Sequence, residues 1–247
     1  MMKLLLFVFA VLMNLSAHAI VNGEKALPGD ATAKHTVAIT DEKLENCSGT
    51  LIAKNLVLTA AHCETRGEMM YVAFGLEVSE NNMAMVDRRP VVNYRIVKGA
   101  HKVDYENDEF NYKDLMIVEF EGGLPEGYEP AEIAAEDFEV SNGDSIIVAG
   151  YGVTHGYHQT GDGFLRKAQV VVSDAQFSES EVQTDERRRG SCSIDSGGPA
   201  FVSVNGKLQL WGVISRGDEN CRKYGVYTKI SYYRDWVISV IQELAVN

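Results

Sequence analysis

The sequence is poor in cysteine, proline and basic residues. Its 247 residues include 4 cysteines, 5 prolines and 23 lysines and arginines against 35 aspartates and glutamates, for a formal net charge of −12. Phosphate backbones and anionic lipid surfaces repel such an acidic chain, so neither nucleic acid nor a membrane is an expected partner. The sequence has no internal repeat and no low-complexity tract, which argues against a repeat protein.

Long apolar runs are also scarce, and only the N-terminus has one. Lys3 precedes the apolar run at residues 4–12, and Ala17-His18-Ala19 has the small-x-small pattern of a cleavage site. The run is too short to span a bilayer. These features predict a signal peptide at residues 1–19 and a secreted protein, extracellular or periplasmic.

Export to an oxidising compartment favours disulfides between the few cysteines. Cys47, Cys63, Cys192 and Cys221 allow three pairings, and their number alone does not choose among them. A zinc site is disfavoured because no C-x-x-C pair occurs and the cysteines form two distant groups. No metal or other cofactor is expected.

The remaining chain alternates short apolar runs with clusters of Gly, Asn and Asp. This pattern predicts an all-β sandwich or barrel. Only the C-terminus has helical periodicity, with apolar residues from Trp236 to Leu244. The runs expected to be strands are Thr36–Ile39, Leu56–Leu58, Met70–Phe74, Leu115–Phe120, Ser145–Ala149, Ala168–Val172 and Leu208–Ile214.

Two segments point to nucleophilic catalysis: Thr59-Ala60-Ala61-His62-Cys63 and Asp195-Ser196-Gly197-Gly198-Pro199. A serine hydroxyl is a poor nucleophile at neutral pH and needs a neighbouring base, which an acid must orient. Together, in a secreted β-rich chain, the two segments resemble the chymotrypsin/trypsin family of serine proteases. The order His, Asp, Ser along the chain is also the family's order.

The resemblance implies two packed antiparallel Greek-key β-barrels with a C-terminal helix docked on the second. We expect residues 20–125 to form the barrel that carries His62 and Asp114, and residues 126–247 to form the barrel that carries Ser196. Asp114 matches the family's acid because it precedes the apolar run Leu115–Val118. Asp104 and Asp108 are rivals by residue type, but they lie in a polar stretch.

The family's roles carry over residue by residue. Ser196 is the expected nucleophile, His62 its general base, Asp114 the acid that orients His62, and Ser215 the support of Asp114. The backbone N–H groups of Ile194 and Ser196 are the expected oxyanion hole. The resemblance also implies the disulfides Cys47–Cys63 and Cys192–Cys221.

The expected substrate pocket contains Gly190, Ser191, Arg216, Gly217 and Gly225. Gly190 stands at the pocket floor, where trypsin-like members have Asp, so we expect a large apolar residue before the cut bond. An acidic residue is the runner-up, favoured by Arg216 and by the basic run at residues 187–189. A protein or peptide substrate is the expected partner, and a protein inhibitor is a further one.

Activation is expected to accompany secretion. Ile20-Val21-Asn22-Gly23 directly follows Ala19 and matches the N-terminus that this family frees by cleavage. We expect the new amine of Ile20 to pair with Asp195.

Two departures from the family pattern keep a second hypothesis open, a catalytically weak protein that binds through the same fold. Ile194 replaces a Gly whose N–H belongs to the oxyanion hole, and a β-branched residue resists positive φ. We therefore expect a flipped or fluctuating peptide there. Arg216 replaces a Trp beside the substrate strand.

Overall fold

The computed structural model describes residues 20–42, 46–65, 67–79, 81–100 and 112–245. The predicted signal peptide and the rival acids Asp104 and Asp108 lie outside the described residues. Within these ranges, no helix is long and apolar enough to cross a membrane.

The described residues form fourteen strands, two α-helices and three short 3₁₀ turns. The helices are α1 (Ala31–His35) and α2 (Arg234–Ala245), and the turns are Ala61–Cys63, Met83–Met85 and Ser231–Tyr233. The strands are β1 (Glu24–Lys25), β2 (Thr36–Thr40), β3 (Asn46–Ala53), β4 (Leu56–Thr59), β5 (Tyr71–Phe74), β6 (Asp87–Ile96), β7 (Met116–Phe120), β8 (Glu132–Ile133), β9 (Ser145–Gly150), β10 (Arg166–Asp174), β11 (Glu181–Asp185), β12 (Pro199–Val204), β13 (Lys207–Gly217) and β14 (Tyr224–Lys229).

The first barrel is a closed antiparallel sheet in the order β2-β3-β4-β7-β6-β5. Antiparallel β4 and β7 pair Leu58 with Ile117 and Thr59 with Met116. The side chains of these four residues are fully buried, as is Leu51 of β3. Apolar burial of this kind is the main force that holds a barrel interior together.

The second barrel follows the order β9-β10-β11-β14-β13-β12 and closes because β9 pairs with both β10 and β12. In β10, Ala168, Val170 and Val172 point inward, while Lys167 and Gln169 alternate with them. This two-residue period is what a sheet with one buried face requires. The short β1 pairs with β10, and β8 pairs in parallel with β13.

The predicted fold class is confirmed. Each of the seven apolar runs expected to be a strand coincides with an observed strand, and both barrels are antiparallel and closed. β7 ends at Phe120 and β9 begins at Ser145, so the predicted boundary between residues 125 and 126 falls in the connection between the barrels. Both predicted disulfides, Cys47–Cys63 and Cys192–Cys221, are present.

The predicted C-terminal helix α2 is present, and its apolar face joins a cluster that contains residues of both barrels. Val237, Val240 and Leu244 are buried in an apolar cluster made mainly of first-barrel residues. Arg95 of β6 in the first barrel also pairs with Glu243, with 2.6 Å between Nη2 and Oε1. The apolar stripe identified the buried face of the helix but could not identify its partner.

We predict that the Leu244→Ala substitution lowers the free energy of unfolding by about 2–5 kcal/mol, because it leaves a cavity in this shared cluster. Leu244 is 2% exposed, whereas Ile238 on the same helix is 38% exposed. The matched Ile238→Ala substitution should therefore stay within about 0.5 kcal/mol of the parent. Urea unfolding of both variants in a Ser196→Ala background, which prevents self-digestion, measures the difference. Equal effects would show that α2 does not anchor the first barrel.

Candidate active site

Antiparallel pairing brings His62 and Asp114 together. The turn Ala61–Cys63 follows the end of β4, and Asp114 precedes the start of β7. Because Thr59 and Met116 face each other at the same end of this strand pair, the two side chains emerge side by side. His62 Nδ1 lies 2.8 Å from Asp114 Oδ2, and the backbone N–H of His62 donates to Oδ1 at 3.0 Å.

The second barrel contributes a third donor to Asp114. Ser215 Oγ donates to Asp114 Oδ2 at 2.6 Å. Ser215 lies at a bulge in β13, between the paired residues Ile214 and Arg216. Bulges redirect a side chain out of the regular ladder, which explains how Ser215 reaches the carboxylate of the other barrel. Both Asp114 and Ser215 are fully buried.

The electrostatics favour an ionised Asp114 and raise the pKa of the neighbouring His62. Burial opposes the ionised form of Asp114, but the charge of His62 and the hydrogen bonds from His62 and Ser215 outweigh it and lower the pKa of Asp114. Burial likewise opposes protonation of His62, yet the charge and hydrogen bond of Asp114 prevail and raise the pKa of His62 above 6.5. Asp114 therefore stays ionised and stabilises a protonated His62.

Ser196 lies against the same region, at the wall of a cleft of about 720 Å³. The backbone N–H of Ser48 in β3 donates to the Ser196 carbonyl at 2.8 Å. Cys63, the neighbour of His62 in the chain, places its Sγ 3.7 Å from the same carbonyl oxygen. The two sequence motifs, one from each barrel, thus come together. The cleft is also lined by Ser191, Ser193, Ile214, Arg216, Gly217, Glu219 and Tyr224.

Two backbone N–H groups near Ser196 have no acceptor. Among the residues that the structure describes, no group accepts a hydrogen bond from the N–H of Ile194 or Ser196. Buried or half-buried N–H groups are nearly always paired, so a pair left without protein acceptors is suited to an oxygen anion from outside.

Ile194 adopts the positive φ that its β-branched side chain resists. Its φ is 75°, and its side chain packs against the Cys192–Cys221 disulfide and Val153. The N–H of Val153 donates to the Ser193 carbonyl at 3.0 Å. Since C=O and N–H point in opposite directions in a trans peptide, the Ile194 N–H points away from Val153. The structure therefore differs from the flipped peptide that we expected: the backbone accepts the strain instead.

Ser191, Arg216 and Gly217 of the expected substrate pocket line the cleft, whereas Gly190 and Gly225 do not. A carboxylate occupies the space at Gly190, where we expected an uncharged floor. Gly190 carries no charge, but the side chain of Glu186 fills the space beside it, and a Cβ atom on Gly190 or Gly225 would overlap the Glu186 carboxylate. Glu186 is 1% exposed. Sequence reasoning missed this residue because it considered only the floor position. Glycine at both 190 and 225 was the one available signal that another side chain occupies the space.

Arg216 does not present a free charge to the cleft. Its guanidinium forms two hydrogen bonds with Glu181, at 2.7 and 3.1 Å, and lies 4.6 Å from the centre of the Tyr112 ring. Both members of this ion pair are buried. The argument for acidic substrates from Arg216 is therefore weakened, because its charge is already neutralised.

The segment that begins at Ile20 is inserted into the second barrel. Ile20 is fully buried in an apolar cluster, and Val21 pairs with Gly190, whose N–H donates to its carbonyl at 3.2 Å. Asp195 is also buried and accepts hydrogen bonds from the N–H of Gly152 at 2.8 Å and of Cys192 at 2.9 Å. Burial, aided by the charge of Glu186, raises the pKa of Asp195 to about 7, although the two backbone donors and the charge of Arg166 lower it.

The one cluster of metal-ligand residue types in the described ranges is Cys47, His62 and Cys63. Both cysteines are joined in a disulfide, so neither offers a thiolate, which is the form that binds metals.

Comparison with known proteins agrees with this geometry. The sequence matches the trypsin family over residues 20–237. It is 30% identical to a chymotrypsin of Phaedon cochleariae over 233 residues, which cover 88% of this chain and 80% of the relative. It is 29% identical to snake venom serine proteinase 14 of Crotalus adamanteus over 220 residues, which cover 83% of this chain and 81% of the relative. It is 27% identical to coagulation factor IX of Cavia porcellus over 236 residues, which cover 88% of this chain and 80% of the relative. The chain therefore belongs to the trypsin family and is a serine endopeptidase.

Proposed function

We propose that this endopeptidase cleaves peptide bonds through a triad of Ser196, His62 and Asp114. The observation that carries the proposal is the hydrogen-bonded chain from Ser215 through Asp114 to His62 beside a cleft that Ser196 lines. In this scheme Ser196 attacks the carbonyl and His62 takes its proton, then donates it to the leaving amine. Asp114 holds the imidazole tautomer and stabilises its cationic form.

The oxyanion of the tetrahedral intermediate would be stabilised by the N–H groups of Ile194 and Ser196. Hydrogen bonds aimed at a charge that develops only in the transition state lower the barrier without tightening substrate binding equally. The absence of protein acceptors for both groups within the described chain supports this role.

We propose secretion from the predicted signal at residues 1–19, and a protein inhibitor as a further partner beside the peptide substrate. A large apolar residue before the cut bond is the preference expected of a roomy pocket, but Glu186 fills the space beside Gly225, and the Tyr224 carbonyl lies close to Gly217. That preference also assumed an uncharged floor, which the carboxylate of Glu186 does not provide.

The alternative function is binding without efficient catalysis, and the positive φ of Ile194 is the observation that favours it. A sparsely populated backbone conformation costs of order 1–3 kcal/mol and could be relieved by rearrangement of the oxyanion hole. The packing of Ile194 on the disulfide and the hydrogen bond between Ser193 and Val153 oppose such a rearrangement.

Labelling with a fluorophosphonate probe separates the two functions. We expect the mature protein to be labelled at Ser196, because the probe needs both an activated hydroxyl and an oxyanion hole. The Ser196→Ala variant is the matched control. Intact mass and peptide mapping identify the labelled residue, and a folded protein that stays unlabelled and cleaves no peptide would contradict the enzymatic proposal.

Replacing Ile194 tests whether the oxyanion hole is already formed. If both N–H donors already face the oxyanion, as we propose, kcat of Ile194→Gly should stay within about threefold of the parent, since only strain is relieved. Ile194→Ala is the control that removes the side-chain bulk but keeps an L-residue at positive φ. A gain in kcat of tenfold or more in the Gly variant alone would mean that the native peptide is flipped.

We further propose that cleavage before Ile20 completes the site. Asp195 is fully buried, and the residues that donate hydrogen bonds to it are neutral. The charge of Arg166 lowers the pKa of Asp195 without offsetting its burial. A freed amine at Ile20, which is buried in the same barrel, would supply a further positive charge. Holding Asp195 ionised in turn fixes the adjacent Ile194 and Ser196, so the new N-terminus and the oxyanion hole are coupled.

A pH comparison of two chains tests this pairing. In a chain that begins at Ala19, the pKa of Asp195 is raised above its unfolded value, so stability is lost as pH rises from about 4 through 7. In a chain that begins at Ile20, the amine keeps Asp195 ionised and removes this loss. In the Ser196→Ala background, we expect the difference in Tm to widen by at least about 5 °C between pH 5 and pH 7.5. A constant difference would refute the pairing, and Asp195→Asn should abolish the pH dependence of the difference.

A further inference from the structure

A carboxylate lies beneath the wall of the substrate pocket. Glu186 directly follows β11, and its side chain is buried among hydroxyl groups. Oε1 accepts hydrogen bonds from Thr184 Oγ1 at 3.0 Å and from the Tyr227 hydroxyl, and Oε2 accepts one from Ser191 Oγ at 3.1 Å. Ser191 lines the cleft, so one hydroxyl separates the carboxylate from the cleft surface.

Two glycines make room for this carboxylate. A Cβ atom built on Gly190 would overlap Glu186 Oε2, and one built on Gly225 would overlap Oε1. Any other residue at either position would displace the carboxylate. Glu186 therefore occupies the space that a side chain at position 190 would otherwise fill. Its carboxylate places a negative charge there, although Glu186 itself was not among the residues expected to form the pocket.

No cation compensates this charge within the described chain. No cation is among the groups that shift the pKa of Glu186. Its chain neighbour Arg187 donates from Nε to Asp185 at 2.9 Å, and Arg216 of the cleft pairs with Glu181 at 2.7 Å. The titratable groups that act on Glu186 are the Tyr227 hydroxyl and, through space, Asp195, neither of which is positive. Burial accordingly raises the pKa of Glu186 to about 7, although its three hydroxyl partners lower it.

We propose that Glu186 determines specificity and that the pocket takes a cationic side chain, lysine or arginine, before the cut bond. This inference rests on the proposed endopeptidase function. A cation at the pocket floor would supply the opposite charge that the buried carboxylate lacks, and the attraction is strong because the site is shielded from water. The Ser191 hydroxyl, which already bonds to Glu186, is placed to accept a hydrogen bond from the same cation.

The rim carboxylates are weaker candidates for this role. The Asp218 carboxylate accepts hydrogen bonds from the backbone N–H groups of Arg222 at 2.9 Å and Lys223 at 2.6 Å, so it holds its own loop. Glu219 is exposed at the rim, where water screens its charge. Only Glu186 combines burial with a position at the floor.

The first test compares peptide substrates that differ only in the residue before the cut bond, with Lys, Arg, Phe or Leu at that position. We expect kcat/KM for Lys or Arg to exceed that for Phe or Leu. In Glu186→Gln, the ratio of cationic to apolar kcat/KM should fall by roughly 30-fold or more, as expected when one partner of a buried charge pair is removed. Glu219→Gln is the matched control and should lower the ratio by less than about threefold.

The second test measures binding without catalysis. A small aryl amidine is a planar cation with no bond to cleave, and calorimetry in the Ser196→Ala background reports its affinity for the pocket alone. Glu186→Gln should weaken the amidine by roughly 30-fold, and the double variant Glu186→Ala/Gly190→Asp, which returns a carboxylate to the same space, should restore at least part of the affinity. This rescue keeps the test valid even where Glu186→Gln is poorly folded.

The outcomes separate this inference from the function on which it rests. Labelling of Ser196 together with dominant cleavage after Phe or Leu, or amidine binding that Glu186→Gln leaves unchanged, would overturn the role of Glu186 and leave the endopeptidase intact. Amidine binding to a protein that never labels at Ser196 would instead overturn the catalytic proposal and support the cationic pocket.

Discussion

Removing a carboxylate from water costs several kcal/mol unless charge or hydrogen bonds replace the lost hydration. The buried carboxylates around the cleft differ in how far their surroundings offset this cost, and for Asp114 a charge and several hydrogen bonds replace the hydration. Its two oxygens receive the backbone N–H of His62, the His62 ring and the Ser215 hydroxyl, from two different barrels. Because Asp114 is satisfied only when β4, β7 and β13 are all in place, the same interaction that keeps it ionised also holds the two barrels in the register that catalysis needs.

Asp195 and Glu186 are fully buried carboxylates whose hydrogen-bond donors described above are all neutral. Asp195 receives two backbone N–H groups, and Glu186 receives three hydroxyls and the backbone N–H of Ser191. The charge of Arg166 lowers the pKa of Asp195, but burial and the charge of Glu186 outweigh it. In our proposals both cations come from outside this folded framework: one is the amine freed at Ile20, and the other is the side chain of the substrate. An acidic interior thus prepares the enzyme for both maturation and substrate selection.

Sequence reasoning predicted those features that depend on a local pattern or on the chemistry of a motif. The apolar runs predicted β7 and β10 because the inward-facing positions of both strands are occupied by apolar residues. β11, with the polar sequence Glu181-Val182-Gln183-Thr184-Asp185, gave no such signal, since it is held by pairing with β14. Glu186 was missed for a related reason: its importance depends on the empty space at two glycines distant in the chain. The contribution of the first barrel to the packing of α2 was not foreseen, because periodicity identifies a buried face, not all the surfaces that cover it.

Ile194 and Arg216, the two departures from the family pattern, are both accommodated by neighbours rather than by a change in the backbone frame. The strain of Ile194 is offset by packing on the Cys192–Cys221 disulfide, and the charge of Arg216 by Glu181 and the face of Tyr112. A planar guanidinium that is paired and stacked presents its flat surface much as an aromatic ring does. Arg216 can therefore form part of the cleft wall without contributing a net charge, and in our proposal the charge of Glu186 selects the side chain that the pocket receives.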